Sequence, residues 1–190
     1  MKPVRIAGFA AGVLVATLAA SATNPGAAPL YTDADLTFLS HMIVHHEQAL
    51  ELCALVPARS NREDFHRFAR YVNDSQQAEI GQMQGLLHMA EQRGAIIPTQ
   101  HMHGDPPMAG MLSRAQMAAI AEAKGLQFEQ LWLKGMILHH QGAVDMALAQ
   151  QEAQFRNGNQ PWGVDVLVDD MLAVQRAEIG KMNTWLSQWR

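Results

Sequence analysis

The chain has 190 residues, 48% of them hydrophobic, and a formal charge of −4. That is enough apolar material for a single core. Its Lys and Arg are scattered rather than clustered, so no phosphate-binding footprint exists and nucleic acid is not expected as a partner.

At the N-terminus Lys2 and Arg5 flank the start of an apolar run from Ile6 to Ala20. Ala20-Ser21-Ala22 then supplies a small-x-small cleavage site, so residues 1–22 read as a signal peptide. The run is shorter than a usual bilayer span, and no twin-arginine pair is present. The mature chain is expected in the periplasm, off the membrane; an uncleaved anchor is the alternative. Cysteines in such a compartment usually pair. Cys53 is the single cysteine, which leaves it buried, reactive, dimer-forming or a ligand.

Residues 23–32 are expected to be a flexible lead into one domain, residues 33–190. Strand signals are weak and helical periodicity dominates. A first helix should begin near Asp33, capped by Thr32 or Asp33, and stop before Pro57. Ser60-x-x-Glu63 reads as a capping box for a second helix reaching about Gly94. A linker covers about 95–126. Its first part is rich in Pro, Gly, Met and His, and Ser113-x-x-Gln116 then caps a short helix across Met117 to Ala123. A third long helix is predicted over Gln127 to Phe155. Asn157-Gly158-Asn159 makes a loop, and Pro161 suits the first turn of a fourth.

The chain repeats itself. "HMIVHHEQALELCALV" at 41–56 returns as "GMILHHQGAVDMALAQ" at 135–150, and "QQAEIGQM" at 76–83 as "QRAEIGKM" at 175–182. Residues 33–94 and 127–188 thus read as two copies of one helical hairpin. Each copy must bury its apolar stripe against the other, which predicts an all-α antiparallel four-helix bundle.

On a helical wheel His45 and His46 flank Met42 within the apolar stripe, while Glu47, Gln48 and Glu51 fall on the far side. His139 and His140 repeat this around Met136. Glu79 and Met83 look inward from the second helix, as do Glu178 and Met182 from the fourth. Buried polar groups without partners cost about 1–3 kcal/mol each. One way out is mutual satisfaction, each Glu bonding a His of its own repeat while Met fills gaps.

The other is a metal. Met42 and His46 are i,i+4, as are Met136 and His140, so thioether and imidazole can meet on one face. Soft thioethers select Cu(I) and, by the same softness, Ag(I); Glu79 and Glu178 would then orient the binding rings. Cys53, two turns past His46, is a filler first and an added ligand of the first site second. His101, Met102, His103, Met108 and Met111 of the linker form a further soft-metal set. Glu-x-x-His occurs only once, at Glu63, which argues against a di-iron or di-manganese enzyme. No phosphate loop or nucleophile elbow is present, so a non-catalytic protein is expected. A plain envelope interaction module is the remaining class.

The segments "FLSHMIVHHEQALELC" and "LWLKGMILHHQGAVDMA", with the two "AEIG-x-M" stretches, resemble the CopM-like family. The resemblance covers about residues 33–188; Val44 stands where a proline is common. It implies a ferritin-like helical fold and an exported bacterial protein that binds copper, and sometimes silver, in metal tolerance. It also implies the ligands Met42, His45, His46 and Met83 in one half, and Met136, His139, His140 and Met182 in the other. Metal ions, and possible transfer to a copper transporter or efflux component, are the partners that follow.

Overall fold

The computed structural model describes residues 30–98 and 108–189. The expected signal peptide, residues 1–22, lies outside the described residues, as do 23–29. Five α-helices are present and, among the described residues, no strand: α1 Asp33–Leu55, α2 Glu63–Glu91, α3 Arg114–Glu122, α4 Gly125–Asn157 and α5 Val164–Gln188. None is long and apolar enough to cross a membrane.

The helix ends follow local chemistry. The Thr32 hydroxyl accepts from the Asp35 N–H, and the Asp35 carboxylate takes the Thr32 N–H in return. At Pro57 the chain tightens into a 3-10 turn, Val56–Ala58. The Ser113 box forms and opens α3 already at Arg114. α4 stops at Gly158, whose φ of 62° is the left-handed conformation that ends helices.

Two expected caps are corrected. Ser60 does not cap α2; its hydroxyl donates to Glu129 at 2.5 Å and accepts from the Arg62 N–H. Glu129 is buried and needs donors, whereas an uncapped helix start can use water. Pro161 is not in the first turn of α5 but precedes its Gly163 N-cap, and its carbonyl takes the Val164 and Asp165 N–H groups.

α1 packs along α2 and α4 along α5; α1 also crosses α4, α2 touches α5, and α3 lies on α4. The apolar residues separate into two clusters. One holds Leu39 and Met42 of α1, Met83 and Leu87 of α2, Ala143 and Ala147 of α4, and Met171 of α5. The other holds Leu52 and Cys53 of α1, Phe65 and Val72 of α2, Trp132 and Met136 of α4, and Met182 of α5. Early α1 therefore meets late α2 and late α4, so α1 runs antiparallel to both.

Buried carboxylates pin the α1/α4 crossing at both ends. Asp35 accepts from the amides of Gln150 and Gln154, at 2.6 and 3.3 Å. Glu129 accepts from Ser60 and Arg62.

Residues 108–112 of the linker form a strap docked in the α1/α4 groove. Gln48, expected to face away, is half-buried; its amide accepts from the Leu112 N–H at 2.7 Å and donates to the Leu112 carbonyl at 3.0 Å. Gly110 has φ 78° and sits against Gly142. A Cβ on Gly142 would lie 2.1 Å from the Ala109 oxygen, so the crossing tolerates only glycine there.

Candidate metal centre

Between the two apolar clusters lies a layer of polar side chains. α1 contributes His45 and His46, α2 Gln76 and Glu79, α4 His139 and His140, α5 Gln175 and Glu178, all buried. The wheel's inward placement of both His pairs and both Glu residues holds.

The four imidazoles share one pattern. His46 Nε2 meets Glu79 Oε2 at 2.5 Å, and His140 Nε2 meets Glu178 Oε2 at 2.6 Å. His45 Nε2 donates to the Ala109 carbonyl at 2.9 Å, and His139 Nε2 to the His45 carbonyl at 2.8 Å. Carbonyls and carboxylates accept here, so Nε2 carries a proton in every ring, and in a neutral ring Nδ1 is the nitrogen with the lone pair. All four Nδ1 atoms are buried without a hydrogen-bond partner. The rings of His45 and His139 lie 3.9 Å apart between centroids, which joins the two halves.

Protonation of this inner pair is disfavoured. Burial, then the neighbouring His46, pushes His45 down to about 3, against an opposing pull from its bond to Ala109. His139 is lowered well below the ordinary imidazole value, first by burial and then by His45 and His140. Both rings stay neutral at ordinary pH, with a lone pair free for a cation.

The four inward methionines are fully buried. Met42 precedes His46 by one turn and Met83 follows Glu79 by one turn, and both belong to the first cluster. Met136 and Met182 stand in the same relation to His140 and Glu178, in the second cluster. Among the described residues no three His, Cys, Asp or Glu side chains are grouped to hold a metal. Each half places one Glu-bonded imidazole and two buried thioethers within a turn of the polar layer.

Cys53 is a buried core residue, the first of its two expected roles. It lies in the cluster of Met136 and Met182 rather than that of Met42 and Met83, because the antiparallel crossing carries late α1 onto early α4. Burial, then the charges of Glu178 and Asp74, pushes its thiol up to about 12. Met108 and Met111 are half-buried in the strap, outside the polar layer. His101, Met102 and His103 lie outside the described residues.

Gln76 and Gln175 were not singled out as site residues, yet both are fully buried with both amide atoms unpartnered. Each opens its copy of the repeated octapeptide, which is the signal that marks them. One carboxylate oxygen of Glu178, Oε1, is likewise buried and unpartnered.

The family described as a domain of unknown function, DUF305, matches residues 35–186. No curated protein matches the sequence. A Streptomyces coelicolor DUF305 protein described as secreted is similar in structure, with 30% identity, TM-score 0.70, and coverage of 83% of this chain and 94% of that one. A DUF305 fragment from Deinococcus radiodurans gives 30% identity and TM-score 0.71, covering 83% and 97%. CopM in its Cu(I)-bound form gives 26% identity and TM-score 0.62, covering 82% and 96%, and CopM has also been solved in Ag-bound form. The resemblance drawn from the repeated His segments is therefore a family relationship: the chain belongs to the DUF305 family.

Proposed function

We propose that this protein is an exported, non-catalytic binder of Cu(I) and Ag(I) that buffers or carries the ion and limits its toxicity. The observation that carries this reading is the set of four buried Nδ1 atoms without partners, interleaved with fully buried methionines. Mutual satisfaction would explain the His46–Glu79 and His140–Glu178 bonds, but it leaves those Nδ1 atoms empty. An imidazole whose other nitrogen donates to a carboxylate is the usual arrangement of a histidine ligand. Neutral imidazole and thioether together suit a soft monovalent ion.

In this reading the α1/α2 and α4/α5 pairs are two copies of one hairpin in a ferritin-like four-helix bundle, each copy with its own site. Met42, His46 and Met83 hold the ion in one, with Glu79 orienting His46. Met136, His140 and Met182 hold it in the other, with Glu178 orienting His140. His45 and His139 supply the remaining lone pairs at the junction. CopM, solved with silver and with copper in both oxidation states, supports the choice of metal. A signal peptide would place the protein in the periplasm, where an efflux component could receive the ion.

The test is an anaerobic Cu(I) titration of the purified protein against a chromophoric competitor, with metal content checked by elemental analysis. Two or more equivalents should be held. His46→Ala and His140→Ala should each weaken retention. Full stoichiometry and affinity in both variants would overturn the assignment of the buried layer.

A further inference from the structure

Among the described residues, the α1/α4 groove is only partly roofed. The strap enters above His45, where Ala109 accepts the ring proton, and runs on to Leu112 above Gln48. One turn back along α1 stands His41, and one turn beyond Gly142 along α4 stands Met146. The helices are antiparallel, so these two residues share the next level of the same groove, beyond the strap. Both are half-buried, and both line an open cavity of about 430 Å³ with Asp33, Phe38 and Gln150. His41 has no hydrogen-bond partner among the described residues. An imidazole unpartnered among the described residues and a thioether thus line one open cavity, one helical turn from the close-packed His45 and His139.

We propose that His41 and Met146 form a port: an exchangeable site for a soft monovalent cation, Cu(I) or Ag(I), which passes the ion to the buried His45–His139 pair. The inference rests on the metal-binding reading above. The donors match that ion class. Solvent on one side makes the site fast to exchange, and the single turn to His45 makes a direct handover short. Beneath the strap, Gly110 and Gly142 are in backbone contact.

The probe is Ag(I), which avoids redox chemistry, delivered from a chromophoric chelator and followed in time. The native chain should load, and the double variant His41→Ala/Met146→Leu should load several-fold more slowly, with the tightly held equivalents unchanged. In a His46→Ala/His140→Ala background a weakly held, rapidly exchanging Ag(I) should remain, and His41→Gln should abolish it. Circular dichroism of each variant checks folding, and His41→Gln is retained for the rate measurement if the double variant unfolds. Equal loading rates with and without His41 and Met146 overturn the port while leaving the buried sites standing. A native chain that takes up no Ag(I) overturns both.

Discussion

Each layer histidine is held by one nitrogen and left open at the other, and this has consequences for acid and for metal. A histidine whose pKa falls from 6.5 to about 3 on folding stays neutral in the native state while the unfolded chain takes up a proton. Its contribution is fully present above the unfolded value and is lost progressively as pH falls from about 6.5 towards 3. His139 is lowered in the same direction. At pH 5 the metal-free protein should have lost about 2 kcal/mol for His45 alone. Urea midpoints at pH 7.5 and pH 5 check this, and His45→Gln should flatten the difference. A midpoint insensitive to pH would show that the inner rings are not buried neutral. On the metal side, Glu178→Gln removes the carboxylate that orients His140. It should weaken the tighter binding by about 10–100-fold, read by competition, with little change in thermal stability of the metal-free chain.

At the scale of elements, the long helices were legible because their apolar residues recur every turn, and the polar layer was legible because His, Glu and Met break that stripe in duplicate. The strap was not. "HMHGDPPMAGM" has no periodicity, and its anchors are a backbone carbonyl, a glycine contact and Gln48, which becomes an inward partner only once the strap covers it. The misread Ser60 has the same origin: its partner Glu129 lies far away in sequence and becomes a neighbour only when α1 crosses α4. Cys53 fills the core, as expected first of it, but beside Met136 and Met182; a wheel shows the face of one helix, not what that face meets. Gly142→Ala tests the strap directly. A Cβ against the Ala109 oxygen should force the strap off His45 and cost about 1–3 kcal/mol in chemical denaturation. Gly85→Ala, where nothing lies within 4 Å, should cost nothing and is the control.

For the molecule as a whole, the polar layer is a deliberate weakness. Unpartnered lone pairs and amides sit where two apolar clusters could otherwise merge into one core. A ligand that binds only the folded state repays that loss by mass action, about 2.7 kcal/mol at a hundredfold excess over Kd. For a domain of this size that should raise Tm by roughly 5–10 °C. Scanning calorimetry with and without Ag(I) measures it, and Mg(II), which prefers hard oxygen donors, should leave Tm unmoved. Equal shifts from both ions would point to nonspecific binding.

On the port reading the strap also sets the direction of traffic. Among the described residues the groove is closed over Gln48 and open at His41, so arriving and departing ions would meet at one doorway. Any receiver must come to the rim formed by the start of α1 and the late turns of α4. While it sits there, nothing else can be taken in.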